Sequence, residues 1–160
     1  MTIYDIFAAI EAMDPVTLGG AVLATTAIIA ATVLAGLIRY LMTAIGYSKM
    51  YRKAGEAGWK AFIPVFNTFN NYKISWNSNQ FFLYAALVIA SSSRVFSEGA
   101  LALVGTAYSI ALIYMIVKQN VKMAKLFGKG AGTGIALIFF PGITSLILGL
   151  GKAEFKAITE

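Results

Sequence analysis

Serine, lysine, arginine and the few carboxylates are among the side chains left to do chemistry here, because the chain contains no histidine and no cysteine. It therefore cannot form a disulfide, a thiolate nucleophile or a histidine metal site, and it lacks the usual group for proton transfer near neutral pH. A membrane protease with a serine and lysine pair is an alternative, but no convincing pair stands out. The sequence predicts a non-enzymatic protein without catalytic residues, metal or cofactor.

Basic residues form two clusters that could bind anions. Each cluster follows an apolar run, and together they contain Lys49, Arg52, Lys53 and Lys60, then Lys118, Lys122, Lys125 and Lys129. A basic group near an anionic membrane contributes about 1 kcal/mol to binding. We expect contacts with anionic lipid headgroups or an acidic partner, and marking of membrane orientation is the alternative. The net charge of +6 does not indicate nucleic acid, because the basic residues flank hydrophobic runs.

Aromatic residues recur at helical spacing between the two clusters. Trp59, Phe62 and Phe66 are the candidate contacts, and Pro64 predicts a turn followed by a helix that starts near it. Aromatic rings favour the headgroup depth of a bilayer. The segment therefore predicts an interfacial elbow, with a groove for a peptide or lipid as the alternative.

A glycine-rich stretch, Gly128 to Gly134, superficially resembles a phosphate loop. It lacks the glycine-lysine-serine/threonine ending and a preceding buried strand. A cytoplasmic turn is the better interpretation, and Gly130 and Gly134 are spaced for close helix contact.

The elements that carry these residues are apolar. Hydrophobic residues make up 59% of the 160 positions and charged residues only 12%, against about 25% charged in a soluble domain. Lipid is the expected environment, so we predict an all-α integral membrane protein with about four transmembrane helices, arranged as two hairpins. The single membrane domain, residues 1–160, divides into an extracytoplasmic leader (1–14), four helices (about 16–42, 80–97, 100–121 and 134–151), the elbow (47–76), a basic turn (122–133) and a tail (152–160).

Pro141 and Gly142 are a candidate hinge in the last apolar run. We expect them to kink that helix or to turn it back as a re-entrant hairpin. The basic clusters place the N-terminus outside and both basic connections in the cytoplasm of a bacterial inner membrane. The C-terminus then lies outside, unless the last segment is re-entrant and returns Lys152 and Lys156 to the cytoplasm.

A weak internal repeat relates the two basic clusters. The segment from Lys49 to Gly55 aligns with that from Lys122 to Gly128 at an offset of 73 residues. Each copy ends in a glycine cap and leads to an apolar run with one proline, Pro64 or Pro141. The pattern favours a parallel repeat, and shared use of helix-end rules is the alternative to duplication.

Three segments carry a family resemblance: the block from Lys53 to Asn67, with its Gly-Glu-Ala-Gly-Trp-Lys-Ala-Phe-Ile-Pro core, the Phe127-Gly128-Lys129-Gly130 turn, and the closing Leu148-Gly149-Leu150-Gly151. Together they resemble a family of small uncharacterised bacterial multi-pass membrane proteins. The resemblance implies the same membrane topology over roughly Tyr47 to Phe155. Some relatives are labelled signal-peptidase-like, but that activity is not carried over here.

These features predict an accessory or scaffold subunit that binds a membrane protein partner, or forms a homo-oligomer, and contacts anionic lipid. An oligomeric pore or small-solute transporter is the alternative. The predicted spans contain no carboxylate, which disfavours ion-coupled transport. We expect residues such as Thr25, Ser91, Ser109 and Thr144 to hydrogen-bond between helices.

Overall fold

The computed structural model describes residues 2–12, 14–92 and 101–156. Over these residues the chain is helical and contains no strand, which confirms the predicted all-α fold. Seven helices and one 3₁₀ turn are described: α1 (Ile3–Glu11), α2 (Pro15–Lys53), the 3₁₀ turn (Gly58–Phe62), α3 (Pro64–Ser75), α4 (Ser78–Ser91), α5 (Leu101–Leu126), α6 (Ala131–Phe139) and α7 (Pro141–Leu150). The chain divides into two units, residues 1–39 and 40–160.

Helix α2 is the one helix in the described ranges that is long and apolar enough to cross a membrane, judged by length and composition. Its most apolar window has a mean hydropathy of 2.3, and no residue of that window is buried. Asp14 precedes the helix and accepts hydrogen bonds from the backbone N–H groups of Val16 and Thr17, each at 3.0 Å. Such acceptors satisfy donors that a helix start leaves without partners.

Helices α2 and α5 end in the same way, at the two positions that the internal repeat predicted. Gly55 and Gly128 adopt positive φ angles of 79° and 68°, which glycine tolerates best. In both copies the residue after the glycine donates its N–H to a carbonyl five residues back, from Glu56 to Tyr51 at 2.8 Å and from Lys129 to Ala124 at 3.0 Å. This is the Schellman arrangement, so both predicted glycine caps are confirmed.

The elbow begins later than the sequence suggested. Residues 47–53, assigned to the elbow, belong to α2, since neither proline nor glycine interrupts the chain between Gly46 and Gly55. After the Gly55 cap, the 3₁₀ turn runs back along α2, with Gly58 beside Ser48 and the Phe62 carbonyl accepting a hydrogen bond from the Tyr40 hydroxyl. Helix α3 then begins at Pro64 and reverses direction again.

The second copy repeats these steps at α5. Helix α6 runs back along α5, and a Cβ added to Gly134 would lie 2.5 Å from the Cα of Val121. Gly134 thus makes the close helix contact that was expected, whereas Gly130 has no such neighbour within 4 Å. Helix α7 then starts at Pro141, in the position that Pro64 occupies in the first copy.

A continuous helix over 134–151 does not form. The break lies at Phe140, whose φ and ψ of −126° and 57° are not helical, next to the predicted hinge. Thr144 donates to the carbonyl of Ala136 at 3.2 Å, although eight residues of continuous helix would cover about 12 Å. Helix α7 is therefore turned back on α6.

Helix α7 returns to the end of the unit where α6 begins. It packs along α2 in parallel, since a Cβ on Gly46 would meet the Ser145 backbone and one on Gly149 would lie 3.0 Å from the Cβ of Lys49. After α7, the backbone N–H of Lys156 donates to the carbonyl of Leu126 at 2.7 Å. The α6–α7 pair is thus a hairpin whose two ends lie together.

The core of residues 40–160 joins the ends of α2 and α5 to this hairpin. Its buried members are Tyr47, Met50, Tyr51, Ala61, Met123, Leu126, Phe127, Leu137 and Leu148. Met50 and Met123, equivalent in the repeat, are each 1% exposed. Helix α4 packs on α3 through ring contacts, Phe69 with Phe81 at 5.3 Å and Tyr72 with Tyr84 at 5.2 Å.

The expectation that the small hydroxyl side chains link different helices is largely wrong. Thr25, Ser91 and Ser109 each donate to a carbonyl three or four residues back in their own helix. A hydroxyl close to its own backbone finds this acceptor without help from a neighbouring helix. Thr144 alone of the four reaches another helix.

Candidate functional site

The aromatic elbow presents its rings to the outside of the molecule. Trp59, Phe62 and Phe66 are 55%, 43% and 45% exposed, and the Trp59 and Phe66 rings meet edge to face at 5.7 Å. The 3₁₀ turn that carries Trp59 and Phe62 lies against α2 between Tyr40 and Arg52. This stretch follows directly on the uncharged run that ends at Ile38.

The candidate basic residues separate into two groups. Lys49, Arg52, Lys125 and Lys129 are exposed. They lie in or next to the last turns of α2 and α5, which end at the same end of the unit. Among the described residues these four have no ion pair. We call them the basic end.

Lys53 is half-buried and caps a helix. Its Nζ donates to the carbonyl oxygens of Leu148, Gly151 and Ala153 at 2.9, 2.7 and 2.9 Å. These carbonyls lie at and just beyond the C-terminus of α7, where a helix carries partial negative charge. Lys53 therefore holds α7 against α2 and has no donor to spare for a lipid.

Lys60 takes part in a local ion-pair network. Its Nζ lies 2.8 Å from Oε2 of Glu56, and Lys73 pairs with the other oxygen of the same carboxylate. The hydrogen bonds from Lys60 and then Lys73 hold the pKa of Glu56 below its ordinary value of 4.5. This network ties the Gly55 turn to the end of α3.

Lys118 and Lys122 share one aromatic ring. The Nζ of Lys118 lies 4.3 Å from the ring centroid of Trp76 and donates to the Tyr114 hydroxyl at 2.8 Å. The Nζ of Lys122 lies 5.2 Å from the same ring. These cation–π contacts fasten the end of α3 to α5, so only part of the predicted basic stripe faces outward.

A cavity of about 270 Å³ lies between the two copies of the repeat, and it opens to the outside. Its wall has contributions from α2 through α7. Seven lining residues have polar side chains: Tyr47, Tyr72, Tyr84, Asn71, Gln119, Asn120 and Thr68. The rest of the wall is apolar and includes Ile138 and Pro141, a member of the predicted hinge pair. Gly142, the other member, is buried beside it.

The polar groups of the cavity are neutral. Burial raises the pKa of Tyr72, so this phenol stays protonated at physiological pH. Asn120 donates from Nδ2 to the carbonyl of Ile116 at 2.9 Å, which leaves its amide oxygen as an acceptor. Gln119 is 6% exposed, and its Nε2 has no hydrogen-bond partner among the described residues.

A family model for proteins of unknown function, DUF5684, matches residues 59–157. The chain belongs to DUF5684. Comparisons with curated proteins and with solved structures find no match. The DUF5684 match begins at Trp59, and it contains the elbow, the α6–α7 hairpin and every cavity residue except Tyr47.

Sequence reasoning did not single out the cavity of this DUF5684 member. Its amides lie on α3 and α5, and one signal was available, because Gln119 and Asn120 are adjacent uncharged polar residues that follow Lys118 at the end of a long apolar run. Their meeting with Tyr47 and Tyr84 depends on tertiary packing. In the described part of the chain, acidic residues form no group of three or more that could hold a metal.

Proposed function

We propose that this chain is a non-enzymatic, multi-pass protein of the bacterial inner membrane that acts by binding, as an accessory or scaffold subunit docked on anionic lipid. One observation carries the proposal. The elbow folds back along α2 so that Trp59, Phe62 and Phe66 are exposed beside Tyr40 to Arg52, just where the apolar run of α2 ends.

The position of the elbow relative to α2 supports interfacial depth. If the run from Pro15 to Ile38 spans the hydrocarbon, its 24 residues cover about 36 Å, enough for a core of about 30 Å. The residues that follow then lie among the headgroups, and so do the rings beside them. Tryptophan and phenylalanine beside basic residues form the pattern of an interfacial anchor.

The lengths of α6 and α7 support a re-entrant hairpin in place of a fourth crossing. Helices α6 and α7 have 9 and 10 residues, which is about 15 Å each and half of the hydrocarbon thickness. Because both ends of this hairpin lie together, Lys152 and Lys156 return to the basic side, in agreement with the positive-inside rule. Helices α2, α4 and α5 then cross the membrane, with the N-terminus outside.

The depth of Trp59 tests the docking proposal, and the chain has only one other tryptophan. We would reconstitute a Trp76→Phe variant and measure fluorescence quenching by lipids brominated at different acyl positions. Trp59 is expected at the headgroup boundary, quenched most by the shallowest bromines. A Trp59→Phe variant, which reports Trp76 in its lysine contacts, is the control.

In the second arm of this experiment, the quenching of Trp59 is measured again with zwitterionic lipid in place of anionic lipid. Neutralising Lys49, Arg52, Lys125 and Lys129 together removes about 1 kcal/mol of attraction for each charge. The quadruple glutamine variant should therefore lose the dependence on anionic lipid. Absence of Trp59 quenching at every depth would contradict the proposed docking.

A pore or small-solute transporter is the second candidate, and the cavity between the repeats favours it. Transporters with internal repeats bind solutes at the repeat interface, next to interrupted helices. The break at Phe140, with Pro141 in the cavity wall, has that character. Solute flux across proteoliposomes would support this candidate, and a sealed membrane would count against it.

A further inference from the structure

We propose that the cavity between the two repeats is a binding site for a small, uncharged polyhydroxy solute. This inference does not rest on the docking of the elbow to lipid. It depends on the residues of the cavity wall, all of which belong to the unit of residues 40–160.

The charge of the wall decides the class of solute. None of the eleven lining residues carries a formal charge. A charged solute would lose its hydration there without gaining a counter-ion, which is costly. A neutral molecule escapes that penalty.

The hydrogen-bonding groups match hydroxyls, which both donate and accept. The Asn120 oxygen can accept a hydrogen bond, and the Nε2 of Gln119 needs an acceptor that the described residues do not provide. A buried polar group without a partner costs about 1–3 kcal/mol. Rotation of the Gln119 amide toward a bound hydroxyl would remove that cost.

The shape of the cavity also favours a polyol over a single water. A volume of about 270 Å³ corresponds to roughly nine waters at about 30 Å³ each. Ile116, Leu137 and Ile138 line part of it, and the rings of Tyr72 and Tyr84 are 5.2 Å apart at its edge. A polyol presents C–H surfaces to such groups and hydroxyls to the amides.

The repeat provides an independent reason to expect a ligand at this place. Tyr47 and Asn120, which are 73 residues apart and therefore equivalent in the repeat, both line the cavity. One pair of equivalent positions therefore contributes to the wall of the same cavity. Secondary transporters built from internal repeats place their solute sites at the repeat interface.

The test uses cysteine labelling, because the chain has no native cysteine. An Ile138→Cys variant of the full chain, purified in detergent, is reacted with methyl methanethiosulfonate with and without myo-inositol. We expect labelling at the cavity, slowed about tenfold by saturating myo-inositol. A Glu154→Cys variant, labelled at an exposed site outside the cavity, should react at the same rate with and without it.

The charge of the solute and the polarity of the cavity wall are tested separately. Myo-inositol 1-phosphate should protect at least about tenfold less well than myo-inositol. In the Ile138→Cys background, Gln119→Leu should preserve labelling but weaken protection by about 2- to 10-fold, the effect of one lost hydrogen bond. If that variant fails to fold, Thr68→Val removes one cavity hydroxyl at nearly constant volume, with the same expected result.

Three outcomes would overturn the inference. Failure of Ile138→Cys to react would show that the cavity is closed, and labelling without protection would show that it holds water only. Equal protection by the phosphate would show that neutrality does not select the ligand. Normal lipid docking of Trp59 alongside any of these outcomes would leave the proposed function intact.

Discussion

At the scale of single residues, the lysines of this chain have four different roles. Lys53 closes the end of α7, Lys60 and Lys73 hold Glu56, and Lys118 lies against Trp76. Lys125 is exposed and belongs to the basic end, where it is available for binding. The same side chain therefore contributes to folding at some positions and is available for binding at others, and substitution separates these roles.

Replacing Lys53 should destabilise the protein. Lys53→Met removes three hydrogen bonds from a charged donor to carbonyls of the α7 end and the following segment, at a cost of about 1–3 kcal/mol. Lys125→Met is the matched control, since an exposed substitution changes stability by within about 0.5 kcal/mol. Denaturant unfolding in detergent measures both. Equal stability of the two variants would mean that the Lys53 cap contributes nothing.

The Glu56 network makes stability depend on pH. Since the folded pKa of Glu56 lies below its ordinary value of 4.5, the ionised carboxylate favours the folded state above that pH. The contribution is lost as the pH falls through the folded pKa. The difference in melting temperature between wild type and Glu56→Gln should be constant from pH 7 to 5 and shrink below 4.5. A difference that does not change with pH would exclude this ion pair as its source.

These roles were only partly predictable from the sequence. The clusters around Lys49 and Lys118 stand out as charge next to apolar runs. The acceptors of Lys53 come from residues 148–153, about a hundred positions away, and no local pattern reports such a partner. The cavity around Gln119 escaped detection for the same reason, because six helices contribute to it.

At the scale of elements, the chain uses one construction twice. A long helix ends at a positive-φ glycine, a short segment runs back along it, and a helix that starts with proline reverses again. Helix-end chemistry is local, so the glycine caps and the start at Pro64 were predictable. The return of α7 onto α2 is a long-range packing event, and from the sequence a kink was the first expectation and a re-entrant hairpin the alternative.

Close packing of α6 on α5 requires glycine at one position and tolerates alanine at another. A Cβ on Gly134 would lie 2.5 Å from the Cα of Val121, whereas one on Gly132 has no neighbour within 4 Å. Gly134→Ala should destabilise by about 1–3 kcal/mol. Gly132→Ala should be neutral or slightly stabilising because alanine favours helix. Thermal unfolding of the two variants tests this prediction, and an equal loss of stability in both would contradict the close packing of α6 on α5.

At the scale of the whole molecule, the proposed function depends on one arrangement of the helices. In the proposed arrangement, the apolar helices lie in a bilayer, the ends of α2 and α5 share the cytoplasmic face, and the α6–α7 hairpin enters and leaves by that face. The composition indicated the bilayer from the sequence alone. The side to which the C-terminal segment returns was open, because Lys152 and Lys156 opposed the simpler four-helix count.

Single-cysteine topology mapping tests this arrangement most directly. Ala12→Cys, Lys129→Cys and Glu154→Cys would each be expressed in bacteria and treated with a membrane-impermeant maleimide before and after permeabilisation. We expect position 12 to react in intact cells, and positions 129 and 154 only after permeabilisation. Labelling of position 154 from outside would contradict the re-entrant hairpin, and labelling of position 129 from outside would contradict the account as a whole.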